Sequence, residues 1–278
     1  MLTEDYYQLL EMIPEVRIAY ANQNPQVFEA VLATVGHEKA QVRDQLNYRL
    51  FIQLLSEGAF SQTIIDEYVQ RLSSIDGLLF NIEENETNAV FTRSFSALFL
   101  AAIVNADRQL NYLTPQQVEL LTQNAIVLFS KEQDLRSYVS EQAGWAHSIA
   151  HVSELLCALI QHSHYPIHLT AQILQGIRTN LWKGYVFQDD EEDRFCNIIE
   201  SLLAKNIEED LFIEWIEQLF DRLQMVAYER GYDANWFKAR TNQLNLAKTL
   251  YFYLKFANRH DKLRGTVSIF IQRWLKLN

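Results

Sequence analysis

Apolar residues recur every three to four positions along nearly the whole chain, the repeat of helices that each bury one face. The pattern predicts helices at about 3–12, 25–35, 38–56, 60–75, 87–107, 114–130, 133–163, 166–181, 189–204, 207–229, 233–257 and 261–276. Asn24-Pro25 and Thr114-Pro115 each pair an N-cap residue with a proline suited to the first helical turn. Gly36, Gly58, Gly77, Gly184 and Gly231 fall between periodic segments, where helices stop. With 8 glycines and 4 prolines in 278 residues, the chain has few of the breakers that turn-rich β structure needs. The predicted fold class is all-α.

Polar signatures interrupt the longer helices at intervals of about fifty residues: Arg43-Asp44, Arg93-Ser94, His147, Arg194 and Asn245. Such a register predicts a right-handed α-solenoid, a HEAT-like stack of about five helical hairpins forming one domain over 1–278. Its inner helices would then set Arg43, Arg93, His147 and Asp193-Arg194 along one polar groove, about 10 Å apart. In the alternative, Arg43-Asp44 and Asp193-Arg194 are ion-pair rungs that tie neighbouring hairpins.

The segment from Ser140 to Ala158 carries the most chemistry. At about 100° per residue, Ser140, Gly144, His147, His151, Glu154 and Ala158 share one stripe, with Trp145, Ile149, Val152, Leu156 and Ile160 opposite. This phase predicts a buried Trp145 and two histidines facing solvent or a groove. Histidines at i and i+4 chelate metals, and Glu154 offers a third ligand. The segment lacks the internal glutamate base of H-E-x-x-H zincins, and three ligands on one stripe seldom close a tetrahedron. A hydrogen-bonded network of His147, His151 and Glu154 with Arg93 or Asp193 needs no metal and is the favoured reading.

Charge narrows the partners. The net charge is −11, yet residues 228–278 hold ten Lys/Arg against three acids. The acidic remainder opposes nucleic-acid binding, and the aromatic residues among the C-terminal cations read as core beneath a basic cap. Cys157 and Cys196 are too few for a disulfide framework and read as reduced, buried thiols. The acidic opening MLTEDYYQLLEMIPE lacks the pattern of a signal peptide, and the stretch 95–104 is too short to cross a bilayer, so a cytoplasmic location is expected. The acids at 189–193 lack EF-hand spacing and suit the first turn of a helix. His162, His164 and His168 read as a solvated turn. There is no Gly-rich phosphate loop, no G-x-S-x-G and no C-x-x-C, so no cofactor is expected.

The segments RDQLNY, RSFSALFLAAI and GWAHSIAHVSELL, with the acidic stretch entering Asp193-Arg194, occur in that order. Together they resemble the bacterial domain-of-unknown-function family numbered 2785, over about 38–260. The resemblance implies an all-α, HEAT-like fold in a bacterial cytoplasmic protein and carries no activity. Function is expected to lie in a polar groove lined by Arg43, Asp44, Arg93, His147, His151, Glu154, Asp193 and Arg194. The leading expectation is a non-enzymatic scaffold that binds a protein or peptide. The runner-up is a metal- or histidine-dependent enzyme acting on a small anionic substrate.

Overall fold

The computed structural model describes residues 3–276 and is all-α apart from one two-stranded hairpin. The chain forms two compact units that meet in sequence at Pro166 and Ile167.

The first unit opens with α1 (Thr3–Glu11), α2 (Pro14–Gln23) and α3 (Gln26–Ala33). No periodic signal announced α2, because among its residues only Arg17 and Ala21 are buried. A π-helix over Gln41–Tyr48 then leads directly into α4 (Arg49–Ser56), followed by α5 (Gln62–Leu72). The Thr114-Pro115 signal is realised in full at the start of α7 (Pro115–Lys131). There the Thr114 hydroxyl accepts from the Gln117 amide and the Gln117 side chain accepts from the Thr114 amide, a capping box.

Between α5 and α7 runs α6 (Ala89–Leu110), buried on nearly every side and packed chiefly against α8 (Ser148–Gln161). By length and hydropathy α6 qualifies as a membrane span, which the reading of 95–104 did not anticipate; 72% of its apolar window is buried inside the protein. Such a helix is explained as a core element.

The predicted helix at 133–163 does not exist as one element. After α7 the chain turns away at Glu132, whose ψ of 124° is extended. It then forms strands β1 (Tyr138–Ser140) and β2 (Gly144–Trp145), and only then enters α8. The cause is a tertiary contact. Arg93 in α6 is wholly buried, and so is its partner Glu132. Arg93 Nε and Nη2 each donate to the Glu132 carboxylate at 2.8 Å, a bidentate pair. The Glu132 carboxylate also accepts from the Asp134 amide at 2.9 Å and the Ser148 hydroxyl at 2.7 Å. Continuing α7 past Glu132 would withdraw that carboxylate from all three donors. On its other side Arg93 Nη1 donates to the carbonyls of Phe80 and Asn81 at 3.0 and 3.1 Å. One guanidinium thus ties the loop before α6 to the loop after α7.

The second unit contains α9 (Thr170–Asn180), α10 (Glu191–Leu203), α11 (Glu209–Arg230), α12 (Ala234–Ala257) and α13 (Asp261–Leu275). Glu191, Glu192 and Asp193 occupy the first turn of α10, the placement that the helix dipole favours. Phe220 stacks on Phe270 at 4.8 Å, and the Trp236 indole donates to the Leu223 carbonyl at 2.8 Å. The C-terminal aromatics are only partly core: Tyr228, Tyr232, Phe237, Phe252 and Phe256 are exposed.

Candidate functional site

The hairpin brings together more of the expected residues than any other place in the first unit. Tyr138 pairs with Trp145 and Ser140 with Gly144, with a register shift between the two pairs. Gly144 has φ +67°, and a Cβ there would sit 2.7 Å from the Ala40 Cβ, so both the turn and the close approach require glycine. Backbone contacts hold the hairpin to its surroundings: Ala40 N donates to Gln142 O at 3.0 Å and Ala146 N to Ser137 O at 2.7 Å.

Arg43 braces this hairpin from below. Its side chain is fully buried, with the guanidinium 4.1 Å from the Phe91 ring centroid and 4.5 Å from that of Phe95. Nη2 donates to the carbonyls of Ala143 at 2.7 Å and Trp145 at 3.2 Å, and Nη1 to that of His37 at 3.0 Å. Nε lies 2.8 Å from Asp44 Oδ1 in an ion pair. Burial lowers the Arg43 pKa, and the Asp44 charge opposes that. Burial likewise raises the Asp44 carboxyl, opposed by Arg43. Both residues belong to the π-helix, a geometry that recurs at functional sites because it rotates side chains out of the α register.

The two histidines flank the end of the hairpin. His147 is not inside a helix: it is the N-cap of α8, in the left-handed region at φ 51°. For a residue with a Cβ that conformation is uncommon and strained. Its ring lies 4.5 Å from Trp145 and 6.1 Å from His151, and both imidazoles are half-buried. His151 Nδ1 is 2.8 Å from the Ser94 hydroxyl, which itself donates to the Ala146 carbonyl. A hydroxyl has one proton, so with that proton on Ala146 the His151 Nδ1 is the donor. Glu154 is half-buried one turn further along. Tyr48 is pushed up to about 12, by burial first and the Glu154 charge second, which keeps its phenol neutral.

Several expectations are corrected here. Trp145 is 45% exposed, because the segment is a hairpin and its helical phase does not apply. Arg43 and Arg93 line no groove; both are fully buried and hold carbonyl and carboxylate partners. Arg43 and Asp44 pair with each other, and Arg43 reaches the β-hairpin through backbone carbonyls where an ion-pair rung between helical hairpins was the alternative expected. Asp44, His147, His151 and Glu154 keep partial exposure. Asp193 and Arg194 belong to the second unit, in the first turn of α10. Among the described residues no three His, Cys, Asp or Glu side chains gather as a metal site, so His147, His151 and Glu154 do not form a ligand set.

Sequence reasoning also missed Glu132, Tyr48 and the pair of His162 with Asp107. His162 is buried with Nε2 3.0 Å from Asp107 Oδ2, tying the ends of α6 and α8, where a solvated turn was expected. The available signal was an acid, Asp107, just beyond the apolar stretch 95–104 of the same helix.

Residues 78–252 match the family described as "Protein of unknown function (DUF2785)". No curated protein and no solved structure matches the chain. The matched span is narrower than the 38–260 that the resemblance implied. It includes α6, the hairpin, both histidines and α10, and leaves the π-helix with Arg43-Asp44 outside. Since it covers well over half of the 278 residues, the chain belongs to the DUF2785 family.

Proposed function

We propose that the protein is a non-enzymatic recognition module that binds a peptide or protein segment on the hairpin surface formed by Tyr138, Trp145, His147 and His151. The observation that carries this reading is Trp145, 45% exposed on a strand whose carbonyl and turn are anchored from below by Arg43. A large aromatic held rigid at the surface contributes contact area with little conformational entropy left to lose, the property of interface hot spots. Two imidazoles beside it add directional hydrogen bonds, and Tyr138, at 5.2 Å, extends the aromatic face. A bacterial, cytoplasmic setting and a HEAT-like repeat spanning one domain belong to the same proposal.

The runner-up, a histidine-dependent enzyme acting on a small anionic substrate, draws on the ring orientation that Ser94 gives His151. Panning a random peptide display library separates the two readings. The recognition reading expects enrichment on the wild-type protein and loss of binding to Trp145→Ala and His147→Ala, both retaining the wild-type melting temperature. Enriched peptides that bind those variants equally well, or no enrichment at all, would overturn it.

A further inference from the structure

A second region of the first unit, away from the hairpin's function, is a cavity of about 370 Å³ where α3 and α5 end beside α6. Its wall is a fixed contact. A Cβ on Gly36 would lie 2.8 Å from the Thr92 Cα, so the turn after α3 sits directly on the α6 backbone. Ser96, one turn further along α6, lines the cavity; it is fully buried and its hydroxyl has no hydrogen-bond partner. Buried hydroxyls are rarely left so, and one lining a cavity is a group prepared for a ligand atom.

Charge indicates which ligand. Arg71 lines the cavity but is already claimed by Glu29 at 2.9 Å and Glu67 at 3.5 Å. Those two carboxylates crowd each other: the Glu67 carboxyl is raised, first by its contact with Glu29 and then by burial. Asp76, also in the lining, joins no ion pair among the described residues. Arg71 is thus engaged by carboxylates outside the lining, and Asp76 is a carboxylate of the lining itself. The C-terminal ends of α3 and α5 add the negative poles of two helices. His37, also in the lining, accepts at Nδ1 from the Lys39 amide at 3.1 Å. The lining also includes the apolar side chains of Leu32, Val35 and Leu72.

We propose that this cavity binds a small aliphatic ammonium compound. Asp76 and the helix ends hold one cationic nitrogen, the hydrocarbon chain lies on Leu32, Val35 and Leu72, and a second donor reaches the Ser96 hydroxyl. The volume lies within the range of small-molecule sites.

Calorimetric titration of the full chain with 1,4-diaminobutane, against 1,4-butanediol at matched ionic strength, tests the proposal. The expected result is saturable one-to-one binding of the diamine, with the diol at least about tenfold weaker, because a charge-assisted contact is lost. Asp76→Asn, at an exposed position that folding does not depend on, should weaken the diamine by about tenfold. Ser96→Ala should weaken it severalfold at an unchanged melting temperature. Equal binding of diol and diamine, or no binding of either, would mean a cavity that holds only water and would overturn the proposal. Undiminished binding to Asp76→Asn would do the same, by assigning the diamine to the acidic surface at large.

Discussion

Replacing Arg93 with methionine tests whether one buried ion pair decides the path of the chain between α7 and α8. The substitution keeps much of the side-chain length and removes the charge and every donor. Glu132, 0% exposed, then loses both guanidinium donors while keeping the Asp134 amide and the Ser148 hydroxyl, and the Phe80 and Asn81 carbonyls lose their shared donor. Removing one partner of a buried pair destabilises by about 3–5 kcal/mol, because the remaining charge stays desolvated. The two carbonyls would add about 1–3 kcal/mol each if they stayed dry. They lie in a loop that can open to water, so the expected total stays near the upper part of the 3–5 kcal/mol range. Urea unfolding followed by far-UV circular dichroism reads it as a lower midpoint at unchanged slope. The double variant Arg93→Met with Glu132→Leu provides the internal control. With both charges gone the desolvation penalty disappears, and the double variant should be more stable than Arg93→Met alone. A single variant within about 1 kcal/mol of wild type, or a double variant less stable than the single, would refute the argument.

Four further outcomes follow from the same contacts. Gly144→Ala should destabilise by about 1–3 kcal/mol through its positive φ and the Ala40 contact, whereas Trp145→Ala should change stability by less than about 1 kcal/mol; denaturant midpoints in the reverse order would contradict the hairpin. Cys196 is fully buried with its thiol pushed well up by burial, so a chromogenic disulfide reagent should modify it only in denaturant; its rapid modification in the native protein would show that region open. The folded-state pKa of Asp44 is raised, so the native state holds that proton more tightly than the unfolded chain. Its contribution is present in full below the unfolded carboxyl pKa and is lost as pH rises through the raised one, so the stability of wild type relative to Asp44→Asn should fall as pH rises above about 4. A constant or rising difference would refute that sign. The proposed single domain expects one thermal transition, coincident by circular dichroism and calorimetry, and two resolved transitions would refute it.

The helical class was legible because it rests on local physics. A 3.6-residue apolar repeat, scarce breakers and the Thr114-Pro115 capping box each act within a few residues of themselves, and α6, α7, α10, α12 and α13 lie where those signals put them. The family was legible too, from the segments around Arg93 and His147. Of the candidate site, the nearness of His147 and His151 survived, although its reason changed: a left-handed N-cap brings the rings together where an unbroken helical turn was expected. The placement of Arg43, Arg93 and Trp145 was not legible. Arg43 reaches carbonyls 100 and 102 residues away, and Arg93 a carboxylate 39 residues away. Periodicity assigns a lone arginine to the surface because burying an unpaired charge is prohibitive. Whether a partner waits at the buried position is a property of distant residues, and only the assembled core supplies it. The same holds for the segment at 133–147, whose apolar spacing suits a helix until Glu132 is captured by Arg93. Local preference set the elements, and long-range satisfaction of buried charge decided where one of them had to break.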